Sequence, residues 1–430
     1  MASNSVEAIE ALYGLFKSGL TTVMIDPTTM SEDLLYQLSD AQPKVMVVGG
    51  DVYERERETI SKAGVGRVVV LDVGGERPDS YRNLMKRGGD RRFAAETKPE
   101  KDAALVFYYA GIAGRTEQVL HRHYGVASCA AAYGAMYTTP GLDRYTGLLA
   151  SPITHVLGLF HMLAIHHYGG AIVVMRGFNA ERAYELVKRY GITHIAAAPM
   201  FFDALTKITN VGRGEHKLRL CLSGGAPLPR EVYDRFRETF GVPLLQTYGL
   251  TEALLVSMQT ENMAHVYGTV GSPIVGVDVK IVDESGREQG VGEVGELAVK
   301  SPWIMMGYSD PADTARAVRD GWLYTGDLMS MDENGLLFFK GVKKRIIKYK
   351  AYPVFPRDLE DILLRHPAVR EALVVGEPDP ETGQKPVAYV VLHDDMRGSV
   401  SSEELMNFVN QRVAAYKKIR ACNIVDSLPS

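Results

Sequence analysis

A ring, a flexible glycine, a hydroxyl and a carboxylate stand within the short run Tyr248-Gly249-Leu250-Thr251-Glu252. An aromatic face can cover a base, a glycine lets backbone approach a ligand, a hydroxyl can reach a phosphate, and a carboxylate can hold a divalent cation. Taken singly, these residues also suit an ordinary turn. Upstream, Ser223-Gly224-Gly225-Ala226-Pro227 offers backbone that a flat ligand can approach. Downstream come Tyr324-Thr325-Gly326-Asp327 and the basic run from Lys340 to Lys348. Asp327 can cap a turn, and a basic run is equally a solvated face. His155 lies in an apolar stretch, where a packed histidine is the common outcome. His161 falls near His166 and His167 at helical spacing, but no third ligand accompanies them, which argues against a metal site.

These groups need elements to place them. Pro243-Leu244-Leu245 reads as a buried strand delivering the Gln246–Glu252 stretch as a turn. Leu218 to Leu222 reads as the strand before Ser223. Strands are expected at Thr21 to Ile25, Lys44 to Val48, Arg67 to Asp72 and Leu105 to Tyr109, alternating with helices. Ser31 is the expected N-cap of a helix through Ser39. Such alternation argues for a parallel sheet with right-handed crossovers. Short strands and Gly turns from Val270 to Val299 imply a small β-rich subdomain. Arg357 to Leu364 reads as helix, Glu371 to Val375 and Val387 to Leu392 as strands, and Ser401 caps a last helix, Ser402 to Ala415.

With 430 residues, the chain is long enough for more than one domain. Its 46% hydrophobic and 23% charged residues are ordinary for a globular protein, and a net charge of −4 gives no bulk attraction to nucleic acid or anionic membrane. Cys129, Cys221 and Cys422 show no ligand spacing and read as reduced, buried thiols, which places the chain in the cytoplasm. No run reaches the roughly 18 apolar residues of a membrane span.

In their order and separations, the motifs at Ser223, Gln246, Tyr324 and Ile347-Lys348 resemble the adenylate-forming ligase superfamily of acyl-CoA synthetases, aryl-CoA ligases, beetle luciferases and peptide-synthetase adenylation domains. The resemblance runs from about Ser5 to the last residue. It implies an α/β fold: a large N-terminal domain of mixed sheets with packed helices and a small β-rich subdomain (1–340), a hinge (341–348), and a small, mobile α+β C-terminal domain (349–430). Compared with the family pattern, both ends of the sequence are short: a strand-bearing segment is expected before Val6, and a Thr-Gly-Lys segment after Ser427.

The resemblance also implies an activity. A carboxylic acid, fatty or aryl, attacks the α-phosphate of ATP bound with Mg2+, and CoA then takes the acyl group from acyl-AMP. Gly111 and Gly114 match glycines of the phosphate loop; Gly224, Gly225, Ala226 and Pro227 lie along adenine and acyl group. Thr247, Tyr248 and Gly249 form the adenine wall, Thr251 meets the α-phosphate, Glu252 is the Mg2+ ligand, and Asp327 accepts from the ribose hydroxyls. His155 sits by the acyl and adenylate pocket, and Lys348, Lys350 and Ala351 match the segment that faces the site when CoA binds. Four positions depart from the pattern. Glu117 replaces the loop lysine, Val342 and Arg345 replace a hinge arginine and an acidic pivot, and Ala351 replaces a glycine. At an effective dielectric of about 20, a unit charge ~4 Å away is worth up to ~4 kcal/mol, so a loop glutamate is expected to weaken triphosphate binding. An AMP-forming carboxylate–CoA ligase, impaired in this form, is therefore set against a catalytically silent homologue that binds nucleotide, acyl-adenylate or a partner, or forms one part of a split enzyme.

Overall fold

A computed structural model describes residues 1–71, 80–88, 95–110, 116–137, 144–209, 211, 214–343, 347–350, 352–354 and 356–429. Its large domain centres on a seven-stranded sheet. Leu244–Leu250, Leu220–Ser223, His194–Ala197, Thr146–Leu149 and Ala171–Val174 lie side by side in that order, all parallel. Leu254–Met258 and Ser272–Pro273 extend it antiparallel at one edge. The strands are short, and three of them are buried throughout, as β-branched and leucine-rich runs covered on both faces must be.

The helices between these strands follow from local chemistry. Ala180–Tyr190 starts where the Asn179 side chain accepts from the Arg182 N–H and stops at Gly191, whose positive φ lets the chain leave the helix. Arg230–Phe240 buries Val232, Tyr233, Phe236 and Phe240 along one stripe and ends at Gly241. Its Phe236 stacks on Phe240 at 4.6 Å and meets Phe202 edge-on at 5.2 Å. Val156–His167 is apolar around most of its circumference and is buried from Gly158 to Ile165.

A four-stranded sheet carries Thr22–Met24, Ala103–Ala110, Thr116–Arg122 and Gly307–Tyr308 in that order. The β-rich part is a five-stranded sheet of Asp278–Val282, Gly295–Lys300, Trp322–Met331, Val318–Arg319 and Leu337–Val342. Met46–Gly49 and Val68–Leu71 form a separate parallel pair. The small domain is a further five-stranded sheet, in which Val369–Asp379 and Gly383–Leu392 form its long hairpin and Pro356–Leu363 packs against it. Val342 still pairs with Asp327 in the large domain, whereas Ile347 pairs with Val354 in the small one. The chain therefore changes sheets between those two residues.

Several expectations need correction. Gln246–Leu250 is strand, and the turn comes later, at Thr251–Ala253. The reason is pairing: Thr247 to Leu250 lie opposite Met258 to Leu254. Thr116–Arg122 is also strand, returning antiparallel on Ala103–Ala110, with Glu117, Val119 and His121 buried in alternation. Ser31 is the first residue of its helix rather than its cap; its N–H donates to the Glu56 carboxylate of the next helix at 3.2 Å. The last helix stops at Asn410. There the Asn410 side chain bonds the Ile419 carbonyl and N–H at 3.0 and 2.9 Å, which draws the chain into a turn.

Phe236→Ala removes a fully buried ring from two aromatic contacts. It is expected to destabilise the large domain by about 3–5 kcal/mol, read as a lowered denaturant midpoint.

Candidate active site

Strand ends build the site. A cavity of about 650 Å³ opens where the strands of the seven-stranded sheet end at their carboxyl termini, the place where open α/β sheets bind ligands. Thr146–Leu149 leads to Ser151 and His155, His194–Ala197 to Ala198 and Met200, Leu220–Ser223 to the Gly224–Leu228 turn, and Leu244–Leu250 to Thr251 and Glu252; all of these line the cavity. Asp327 and Val342 line it from the β-rich sheet, and Lys348, Lys350, Tyr352, Tyr416 and Lys417 from the small domain.

Twelve of the expected site residues meet here: Thr251, Glu252, His155, Lys348, Gly224, Gly225, Ala226, Pro227, Thr247, Tyr248, Gly249 and Asp327. Gly111 and Gly114 lie outside the described residues, as do Arg345 and Ala351. Tyr248 Oη donates to an Asp327 carboxylate oxygen at 2.6 Å, which ties the strand carrying the ring to the β-rich sheet. Burial, then the Asp327 charge, pushes the Tyr248 phenol well above its usual range, so it stays a donor. Thr247 spends its hydroxyl on the Ser257 carbonyl at 2.8 Å, so it is held as wall rather than as a donor to a ligand. Gly249 is needed because a Cβ there would collide with the Leu254 carbonyl across the hairpin. Gly225 has φ +80, a backbone conformation that favours glycine, and Gly224 leaves room for the Thr247 methyl.

Glu252 is buried and accepts from Tyr308 Oη at 2.5 Å. The Thr251 carbonyl accepts from His121 Nε2 at 2.7 Å. Burial lowers the His121 pKa to about 4, so the ring is neutral and holds this turn by a single N–H. Glu117, expected to face a phosphate, does not line the cavity, whereas its neighbour Thr116 does. Strand alternation sends Glu117 to the opposite face, where its carboxylate lies within 4.8 Å of those of Asp310 and Asp313. Among the described residues this trio is the only grouping of metal-ligand type, and Asp313 pairs with Arg316. His161 and His166 bond Tyr137 Oη and Tyr13 Oη at 3.0 and 2.8 Å.

Four site features escaped sequence reasoning. Asp26 lies just beyond the strand Thr22–Met24 and bonds His155 Nε2 at 2.7 Å. Burial pushes its carboxyl up, but the bonds from His155 and Thr28 outweigh burial and hold it at about 2. Tyr109 lines the cavity as a half-buried phenol pushed well above its usual range by burial and the charges of Glu252 and Asp327. Tyr352 stacks on Tyr416 at 4.7 Å, forming an aromatic wall. Lys417 is buried between Asp33 of the large domain and Asp358 of the small one, at 3.1 and 3.2 Å. Burial alone would lower the Lys417 pKa; the Asp358 and Asp33 charges reverse the sign and raise it. A carboxylate placed two residues past a strand end was the available signal for Asp26. Nothing local distinguishes Lys417 from Lys418.

Comparisons with known proteins agree with this geometry. Residues 1–309 match the AMP-binding enzyme family, and residues 358–430 match the AMP-binding enzyme C-terminal domain. The rice (Oryza sativa subsp. japonica) 4-coumarate–CoA ligase-like 6 is 33% identical over 97% of this chain and 72% of its own length. The amide bond synthetase McbA from Marinactinospora thermotolerans superposes with a TM-score of 0.85 at 27% identity, over 100% of this chain and 86% of that one. The long-chain-fatty-acid-CoA ligase FadD1 from Archaeoglobus fulgidus gives 0.80 at 26% identity, over 99% and 84%.

Lys417→Met leaves Asp33 and Asp358 facing each other without their cation. It is expected to cost about 3–5 kcal/mol of the closed arrangement, seen as a lower melting temperature and faster protease cleavage within 343–350. Unchanged melting and cleavage would exclude the bridge as what holds the domains together.

Proposed function

The chain belongs to the AMP-binding enzyme family of AMP-forming CoA ligases, and on that premise we propose that it joins an apolar carboxylic acid, fatty or aryl, to CoA through an acyl-adenylate. The observation that carries this reading is the shared cavity. One end gathers Tyr248, Asp327, Thr251 and Glu252, and the same space is lined by Phe178, Met200, Phe201 and Leu228. Among the described lining residues, the lysines are Lys348, at the end of the proposed hinge, and Lys350 and Lys417 of the small domain, and no arginine lines the cavity. Among the described residues, an acid with a second charge would meet no lysine or arginine of the large domain, which favours an apolar tail.

AMP-forming CoA ligases use ATP, Mg2+ and CoA. The oxygen donors of Glu252 and Thr251 suit a hard cation such as Mg2+, which would neutralise phosphate charge there. In the reading proposed, Tyr248 covers the adenine, and Asp327, fixed by the Tyr248 phenol, accepts from the ribose hydroxyls. Gly224, Gly225, Ala226 and Pro227 give the flat adenylate a backbone floor. The Thr251 hydroxyl donates to the α-phosphate, and the His121 bond keeps its turn in place. Gly111 and Gly114 are assigned to the phosphate loop. Residues 341–348 are assigned as the hinge between a large domain of 1–340 and a small one of 349–430, supported by the change of sheet between Val342 and Ile347. With Lys348 and Tyr352 against the cavity, the small domain presents the face suited to acyl transfer. Among the described residues no helix is long and apolar enough to cross a membrane. The three free, buried cysteines favour a reducing compartment, and the cytoplasm is the one proposed.

Acid-dependent exchange of pyrophosphate into ATP tests this directly, using a panel of fatty and aryl acids with MgATP. Exchange is expected with at least one apolar acid and with no dicarboxylic acid. Thr251→Val is expected to reduce it about 10²–10³-fold, the usual effect of losing one aimed donor. Nucleotide binding with no exchange for any acid would replace the ligase by the silent homologue, or by one part of a split enzyme.

A further inference from the structure

The Asp26–His155 pair is not used by adenylation as described above, yet it sits on the cavity wall at the seam between the domains. We propose that His155 is the general base that takes the proton from the incoming thiol as it attacks the acyl-adenylate, with Asp26 positioning its ring; this rests on the ligase reading.

The geometry assigns the two nitrogens. Asp26 is ionised and can only accept, so the 2.7 Å contact puts the proton on His155 Nε2. Neutral imidazole then carries its lone pair on Nδ1. No described residue bonds that nitrogen. The His155 side chain is 40% exposed and that of Asp26 only 12%, so a ligand meets the ring and not the carboxylate. Two bonds from Thr28, one from its N–H at 2.7 Å and one from its hydroxyl, hold Asp26 Oδ1. Oδ2 is therefore left for the histidine. A carboxylate that fixes the tautomer and later faces the imidazolium is the arrangement by which a histidine becomes an effective base.

The surroundings place this base on the thiol's route. Tyr352 of the small domain meets the His155 ring edge-on at 5.8 Å and stacks in turn on Tyr416. A nucleophile arriving between the domains passes this aromatic wall with His155 facing it. The Tyr352 phenol, pushed up by burial and by Asp26, supplies no phenolate to compete. Lys348 lies over the Phe339 ring instead.

The step balances without any further reactant. The thiol S–H proton passes to Nδ1 while the sulfur lone pair forms the bond to the acyl carbon. The carbon–oxygen bond to phosphate breaks, and AMP leaves with that electron pair. The imidazolium rests against Asp26 until solvent removes the proton.

The test separates the transfer step from adenylation. Synthetic decanoyl- or cinnamoyl-adenylate, whichever the wild-type chain consumes, is presented with CoA and with two small thiols of similar size, ethanethiol and 2,2,2-trifluoroethanethiol. The fluorinated thiol is the more acidic and at pH 8 needs the base less. His155→Gln keeps the bulk near that of the ring and cannot take the proton. It is expected to slow transfer to CoA and ethanethiol about 10²-fold, within the usual range for a lost general base, and transfer to the fluorinated thiol far less. Asp26→Asn is expected to lower kcat for transfer with the KM for thiol unchanged, because its side chain does not touch the thiol. Equal slowing of both small thiols by His155→Gln overturns the base assignment while leaving the ligase intact. So does no slowing of either. A wild-type chain that transfers to no thiol from either adenylate overturns the ligase reading itself.

Discussion

One buried cation ties the small domain to the large one beside the cavity. Lys417 leaves water to sit between a carboxylate of each domain. A lone ammonium in that position would be driven to neutrality; two carboxylates make its charge the favoured state. Around it, Thr116 bonds Asp358 at 2.9 Å and Arg365 bonds Glu32 at 2.7 Å. These contacts across the domain seam are polar. The small domain has its own core around Val354, Leu359, Val374 and Leu405. A domain held by charge rather than by apolar area can be released and reset, which is what the proposed hinge at 341–348 calls for.

The large domain answers the opposite demand. Its parallel strands and helices share a packed apolar core, and the segments that leave the strand ends line the cavity. Positions that look permissive are constrained by packing. Gly249 is demanded by the Leu254 carbonyl, and Thr247 is tied to Ser257. The wall that would meet a nucleotide is therefore set before any ligand arrives. This is the preorganisation by which such a site can stabilise developing charge.

The sequence was informative where chemistry is local. Glycines before and after strands, the Ser401 cap and the Ser223 and Gln246 motifs all reported where chain reversals and ligand-facing backbone lie. Twelve of the expected site residues converge because they lie on strands, or on the turns that leave them, at the edge of one cavity. Pairing was not legible. Gln246–Leu250 reads as a turn until Leu254–Met258 returns beside it, and only the partner strand makes it a strand. Long-range polar contacts were equally hidden. Asp26 and His155 are 129 residues apart, and Lys417 and Asp33 are 384 apart, with no local pattern to connect them.

Glu117 shows that a match of positions leaves open which face a side chain takes. Aligned by motif, its carboxylate replaces a loop cation and should repel phosphate. A strand, however, turns successive side chains to opposite faces. Glu117 shares its face with Val119 and His121, behind the cavity, while Thr116 takes the cavity side. The carboxylate then acts on Tyr308, whose phenol it helps to push up after burial and Glu252 have done most of the work. Tyr308 in turn donates to Glu252. The carboxylate at position 117 thus lies behind the cavity wall, beside Asp310 and Asp313. Charge reversal along a sequence carries a functional sign only after the face it occupies is known.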